Sequence, residues 1–370
     1  MRFVMMTEAR TPHGTTHHQR WWDAVEEAVF AEERGFDAWG TSEHHFFVDL
    51  ATTSCPEIIH TAVALRTSRM KIRPMSFLLP IHHPVRVAER LAALDIFSNG
   101  RVELGIARGN TVLQLDGFGI PLEETSSRSE ESLELILKAL TNDSFTHDGK
   151  HWKVPLRSMT PRPLQYPHMP VYKICSTANS ASAAASDGLG MITSDLYLGW
   201  EQLEDNLRGY QEGLEKPDHI VQVPTSSVGV SVFSAVCAES NEEAIRIGGD
   251  ATVHFASRLI GDYPALSRSA DYDYTERIRQ AQEHKDDVHF LNRGPSVILG
   301  DPDHWIERLG KLEAMGVEEV VMILDGIPHR EIMNTIDMLG RYVIPRFKYP
   351  NAIVQHGPIT GSDEFQYVKA

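Results

Sequence analysis

Eight times along this chain a short apolar run gives way to a longer segment with helical spacing, always in the same order. Residues 3–6, 36–40, 72–79, 102–106, 171–175, 190–193, 228–236 and 320–324 read as strands. Helical patterns lie between them. Residues 20–34 carry Trp22, Val25 and Val29 at helical spacing and stop at Gly35, and residues 84–97 stop at Asn99-Gly100. Asp301-Pro302 opens a late helix, the aspartate as cap and the proline in the first turn, with Trp305, Leu309 and Leu312 as its apolar face. A strand that is always followed by a helix implies parallel strands, because an antiparallel neighbour needs only a tight turn. The reading is therefore α/β, and the count of eight predicts a closed (β/α)8 TIM barrel. An open doubly wound sheet is the alternative.

Length tests that reading. A barrel of this kind takes about 250 residues, and the chain has 370. Two long connections absorb the excess: residues 142–170, rich in proline toward the end, and residues 261–299, rich in Asp, Arg, Tyr and Gln. We expect residues 1–370 to form a single barrel domain with insertions, and residues 261–299 to be a mobile lid within it.

Charge and cysteine usage narrow the partners and the compartment. With 35 Lys and Arg against 51 Asp and Glu, the net charge of -16 repels nucleic acid and anionic membranes alike. The apolar stretch at residues 3–6 meets Glu8 almost at once, so it reads as a first strand and not as a signal peptide. Cys55, Cys175 and Cys237 are odd in number and widely spaced, which points to reduced thiols and a cytoplasmic location.

In a barrel, residues just past the C-terminal ends of the strands face the active site. That rule selects Glu43-His44-His45-Phe46, then Leu79 to Pro84 with its His82-His83 pair, then Ala107-Arg108-Gly109-Asn110, then the small polar run from Ser176 through Thr177, Ala178 and Asn179 to Ser180. Arg108 offers a guanidinium fork, and Ser176, Thr177 and Ser180 offer hydroxyls at a helix N-terminus, a donor set suited to a phosphate monoester. Helix capping plus a surface arginine is the plainer reading of the same residues. His44 suits general acid–base work. A metal site drawn from Glu43, His44, His45, His82, His83 and Asp325 competes with it, although strand 1 ends without a ligand pair.

At these residues the chain resembles the bacterial luciferase family of flavin-dependent monooxygenases, its catalytic subunits above all. Gly35-Phe36-Asp37 leading to Glu43-His44-His45-Phe46 resembles the second βα unit of that family. Leu79-Pro80 with His83-Pro84-Val85-Arg86 resembles the third, and Gly100-Arg101 with Gly105-Ile106-Ala107-Arg108-Gly109 the fourth. Met169-Pro170-Val171-Tyr172 and the run to Ser180 resemble the flavin-phosphate segment, and Leu299-Gly300-Asp301-Pro302 with Gly316-Val317 the last unit. The likeness covers essentially the whole chain, in order.

The resemblance implies a barrel that holds reduced FMN (FMNH2) at its mouth, with the flavin delivered by a separate NAD(P)H:flavin reductase. O2 would react through a flavin C4a-peroxide to oxidise a small or medium apolar substrate: an aldehyde, a ketone or a natural-product intermediate. His44 would be the catalytic acid or base, and Glu43 would lie near the isoalloxazine ring. Arg108, Ser176, Thr177 and Ser180 would hold the phosphate, with Ala107 and Ala178 beside them. Met75 and Ser76 would lie under the ring, joined by a non-prolyl cis peptide. Met6, Phe46, Met75 and Phe77 would line an apolar mouth beneath the lid, and the resemblance also implies a homo- or heterodimer. Ala107 replaces a cysteine of the luciferase catalytic subunits, and Ser176 an acidic residue, so light emission and aldehyde specificity do not carry over. A deazaflavin-dependent hydride transferase and a non-catalytic flavin-binding subunit are the alternatives.

Overall fold

The computed structural model describes residues 1–48, 50–109, 111–261 and 275–349. Its main sheet contains β1 (Arg2–Thr7), β2 (Ala38–Thr41), β3 (Lys71–Ile72), β4 (Phe77–Leu78), β5 (Leu104–Ala107), then β8 (Val171–Cys175), β9 (Gly190–Thr193), β10 (Val228–Val232) and β13 (Glu319–Ile323). All neighbours pair parallel, in the order β3-β2-β1-β13-β10-β9-β8-β5-β4. The helices follow the strands: α1 (His17–Glu33), α2 (Pro56–Arg66), α3 (Pro84–Ser98), α4 (Val112–Gly117), α5 (Thr125–Thr141), α6 (Ala178–Ser186), α7 (Trp200–Leu214) and α8 (Asn241–Gly261), with later ones at Pro302–Ala314 and His329–Met338.

The expected third strand is one irregular segment, and it joins the two ends of the sheet. β3 pairs with β2, β4 pairs with β5, and the residues between them bond both ways. Arg73 N–H donates to Trp39 O and Met75 N–H to Thr41 O, while Glu103 N–H donates to Ile72 O and Gly105 N–H to Pro74 O. Two glycines make room for this. A Cβ at Gly40 would stand 1.8 Å from Arg73 O, and one at Gly105 2.2 Å from Pro74 O, so a side chain at either position would push the segment out. The parallel sheet is thereby curled into the TIM-barrel arrangement, not left open.

Side chains alternate along the strands, as the period of two requires. Val4, Met6, Ala38, Met75, Tyr172, Ile192, Val321 and Ile323 form the inner cluster. Phe3, Met5, Trp39, Phe77 and Met322 belong to the larger core under the helices.

Four local expectations are corrected. The strand at 228–236 breaks at Phe233, whose N–H turns to Ser296 O; the rest becomes β11 (Ser234–Cys237), paired with β12 (Val297–Gly300) in a separate two-stranded sheet. Residues 142–170 are not a bare connection, since β6 (Phe145–Asp148) and β7 (Lys153–Arg157) form an antiparallel hairpin there. Trp22 is 53% exposed, because α1 turns a face containing Arg20, Ala24, Val25, Glu27, Ala28 and Ala31 inward. The sequence pattern missed it because the inward charges pair with each other, Arg20 Nη1 donating to Glu27 Oε1 at 2.8 Å. Finally, the helix that the small polar run 176–180 introduces begins inside that run, at Ala178. The proposed lid at 261–299 lies partly outside the described residues, at 262–274; within the described part are helices at Thr275–His284 and Val288–Leu291, followed by β12.

Candidate functional site

Two carboxylate–histidine groups stand at the C-terminal ends of β1, β2 and β4. The first starts where β1 ends. Asp325, just past β13, accepts N–H bonds from Glu8 at 2.7 Å and Arg10 at 3.2 Å, and a hydroxyl bond from Thr7 at 3.1 Å. Arg20 of α1 lies 3.5 Å from Asp325 and balances its charge. With its backbone fixed, Arg10 donates to Glu8 Oε2 through Nε at 3.1 Å and Nη2 at 3.0 Å, and its guanidinium lies 3.7 Å over the Phe255 ring of α8. Glu8 Oε1 stands 3.2 Å from His44 Nε2 and accepts from Ser42 Oγ at 3.4 Å. Burial alone would raise the Glu8 pKa, but Arg10 and His44 overcome it and hold the carboxyl at about 2.

The second group centres on Glu43. Its Oε1 lies 2.6 Å from His82 Nε2 and 3.0 Å from His45 Nε2, and its Oε2 accepts the Leu78 N–H at 2.9 Å. Burial again pushes the pKa up, and these bonds pull it down to about 2. Gln114 of α4 accepts the His45 N–H at 2.8 Å and fixes the loop from the other side. Glu43 thus ties the loop after β2 to the start of β4.

The other candidates gather around these groups in part. Met75 is buried in the inner cluster beside Met6, and Ser76 is buried next to it. The peptide between Met75 and Ser76 is trans; the cis bonds among the described residues are Thr160-Pro161 and Tyr166-Pro167. The segment that spans β2 and β5 bends at Met75 and makes this bend through a trans bond. Phe77 does not line the mouth: it packs under the helices, because the bend at Met75 interrupts the period of two that would set it on the same face as Met75. Phe46, at φ 66, is half exposed at the rim and packs on Phe118.

Ala107 pairs with Leu78, and Ile106 pairs with Lys173. That register carries Arg108 alongside Cys175 and next to Ser176. Arg108 and Ser176 are half-buried at this edge. Thr177 caps α6: its hydroxyl accepts the Ser180 N–H at 3.2 Å, and Ser180 Oγ accepts the Thr177 N–H at 3.2 Å. Both hydroxyls are therefore committed to the cap. The first turn keeps the N–H groups of Ala178 and Asn179 as its donors toward the mouth. Asn110 lies outside the described residues.

The alternative metal set is not assembled. Glu43 takes His45 and His82, His44 goes to Glu8, Asp325 to the backbone after β1, and His83 packs on Trp152. Among the described residues a three-ligand group occurs at Asp23, Glu26 and His329, on the outer helices. Residue patterns missed Glu8 and Arg10. The end-of-strand rule would have found them had strand 1 been extended one residue to Thr7.

Comparison with known proteins follows this geometry. A family model described as luciferase-like monooxygenase matches residues 1–319. An uncharacterised protein of Sinorhizobium fredii is 28% identical over 181 residues, 49% of this chain and 51% of that protein, so this match spans about half the relative's length. The oxygenase component of the flavin-dependent trigonelline monooxygenase of Acinetobacter baylyi is 24% identical over 369 residues, 97% of this chain and 99% of that one. Among solved structures, the oxygenating constituent of 3,6-diketocamphane monooxygenase from Pseudomonas putida, in complex with FMN, superposes with a TM-score of 0.75 at 21% identity, covering 94% and 98% of the two chains. A coenzyme F420-dependent tetrahydromethanopterin reductase from Methanopyrus kandleri gives 0.69 at 18% identity, covering 94% and 99%. No helix among the described residues is long and apolar enough to cross a membrane.

Proposed function

Because the chain belongs to the luciferase-like monooxygenase family, we propose that it is the oxygenase component of a two-component flavin-dependent monooxygenase. It takes reduced FMN from a separate NAD(P)H:flavin reductase and uses O2 to oxidise a small or medium apolar organic substrate, an aldehyde, a ketone or a natural-product intermediate. What supports this reading is that His44, after β2, and Arg108, after β5, both stand at the C-terminal end of the sheet.

The residues fit such a cofactor. Arg108 and the first turn of α6 supply a cation and backbone N–H donors at one edge, as a phosphate dianion requires. Met6 and Met75 floor the mouth with apolar surface, suited to a flat ring. Bound reduced flavin supplies the activation of O2 and the transfer of one oxygen atom to the substrate. The chain's own part is to orient and to exclude water. Glu43 holds the loop after β2 against β4, which fixes the position of His44. His44 exchanges a proton with the reacting atoms. Trp22, Ile58, Leu65 and Phe97 leave apolar side chains exposed on α1 to α3 and support dimerisation through the outer helices.

The test is binding and turnover together. Arg108→Ala is expected to weaken FMN binding at least tenfold by fluorescence titration, with an unchanged circular dichroism spectrum. Wild-type protein, a flavin reductase, NADH and a panel of carbonyl compounds should give oxygenated product. Turnover with reduced deazaflavin and none with reduced FMN would replace the monooxygenase reading by hydride transfer.

A further inference from the structure

We propose that Glu8 is the positioning residue of His44: it fixes the imidazole with its proton on Nε2 and so leaves Nδ1 as the ring's basic nitrogen. The inference rests on the reading above only for what Nδ1 acts upon.

The argument begins with what Glu8 can do at 3.2 Å from His44 Nε2. A buried carboxylate that already receives two guanidinium bonds has no proton to donate. Its free oxygen can only accept. For that contact to be a hydrogen bond, Nε2 must carry the proton, and in the neutral ring the lone pair then lies on Nδ1. His44 Nδ1 is buried and has no hydrogen-bond partner among the described residues. An imidazole with one nitrogen tied to a carboxylate and the other without a partner among the described residues keeps that lone pair for an atom these residues do not supply.

Glu8 is itself fixed. Its N–H donates to Asp325, its C=O accepts the Thr52 N–H at 3.0 Å, and Arg10 holds Oε2. Glu43 cannot take over, since His45 and His82 occupy its Oε1 and the Leu78 N–H its Oε2. Among the described residues the charged groups around the ring are few. Glu8 and Arg10 come from the turn after β1, and Asp325 stands behind them with Arg20 of α1. Glu43 and His45 belong to the ring's own loop, with His82 beyond Glu43, and Phe47 packs edge-on at 5.4 Å. When Nδ1 takes a proton from the reacting atoms, the resulting imidazolium is held by Glu8, and the same proton can return. In the second carboxylate–histidine group the carboxylate is shared by two histidines and a backbone N–H, and it acts as a brace.

Arg10 gives the test its sign. In Glu8→Gln, the guanidinium claims the amide oxygen and turns the NH2 toward His44, so Nε2 must accept and the proton moves to Nδ1. The probe is 15N NMR of histidine-labelled, flavin-free protein at a pH where the imidazole is neutral, with His44→Gln to assign the signals. Wild-type protein is expected to show a protonated Nε2 and a bare Nδ1. Glu8→Gln should show the reverse and lose at least tenfold in turnover, and Glu8→Asp should keep the wild-type tautomer. A wild-type ring with its proton on Nδ1, or the same tautomer in wild type and Glu8→Gln, overturns the proposal. Should Glu8→Gln fail to fold, the wild-type spectrum decides alone. The expected spectra with no oxygenated product from any substrate would leave the Glu8 assignment standing and count against the monooxygenase reading.

Discussion

The two ends of the barrel bury the same kinds of charged group and treat them in opposite ways. At the N-terminal end, Arg73 is fully buried and donates to both Glu103 and Glu319, through Nε to Glu103 at 2.8 Å and through Nη2 to Glu319 at 2.9 Å. Arg2 reaches in to the same two carboxylates at 2.9 and 3.1 Å, and the Tyr172 ring lies 3.9 Å from the Arg73 guanidinium carbon. None of these side chains has a buried polar atom left without a partner. At the C-terminal end, Glu8 and Glu43 are as firmly held, yet His44 Nδ1 stays unpartnered and the first turn of α6 keeps two donors. A closed network fixes the barrel, and an open one is available for a ligand.

The largest expected effect lies at the closed end. Arg73→Leu strands two buried carboxylates, and removing one partner of such a network costs about 3–5 kcal/mol. Urea unfolding should show this as a lower midpoint, with turnover per folded molecule unchanged. A midpoint equal to wild type would mean that the network contributes nothing, and the contrast between the two ends would collapse.

The converse variant is His44→Ala. It removes an imidazole whose one polar bond is to Glu8, so the unfolding midpoint should move little. Turnover at saturating reduced flavin should fall about 100-fold, within the range for loss of a general acid or base. Equal loss of stability and turnover would place His44 with the structural groups. Unchanged turnover would remove it from the chemistry.

How much of this was legible in the sequence follows the same division. The alternation of strands and helices came through, because a buried parallel strand must be apolar and its helix must carry a stripe. Gly35, Asn99-Gly100 and Asp301-Pro302 marked helix boundaries where they stand, since cap chemistry is local. The candidates His44, Glu43 and Arg108 were selected by a rule just as local, since each lies shortly after a strand. The closed network was not found. Arg73, Glu103 and Glu319 lie on three strands spread across the chain, and nothing local distinguishes a buried arginine from a surface one. Glu8 was lost to a one-residue error in a strand end. Trp22 was misplaced because α1 buries an arginine and a glutamate that neutralise each other, an arrangement that apolar periodicity cannot register. The hydroxyls of Thr177 and Ser180 were expected to face a ligand but serve each other, because a capping box satisfies the helix's own N–H groups first.

The smallest expected effect concerns how the open end responds to acid. Glu43 has a folded-state pKa of about 2 against an ordinary 4.5, because the bonds from His45, His82 and Leu78 outweigh the cost of burial. A carboxylate whose folded pKa is depressed contributes stability that is fully present above the unfolded value. The contribution is lost as pH falls through the folded value, so the window runs from about 4.5 down to about 2. Glu43→Gln keeps an acceptor for the Leu78 N–H but cannot ionise, and its stability should fall less steeply across that window. We expect wild type to lose about 3 kcal/mol more than the variant there, read from urea midpoints at half-unit steps of pH. Above pH 5 the two curves should run parallel, with the variant lower, since the ionised brace between β2 and β4 is then intact in wild type alone. If the curves stay parallel to pH 2, Glu43 is not held by its histidines as the geometry requires, and the brace that positions His44 would have to be sought in Glu8 alone.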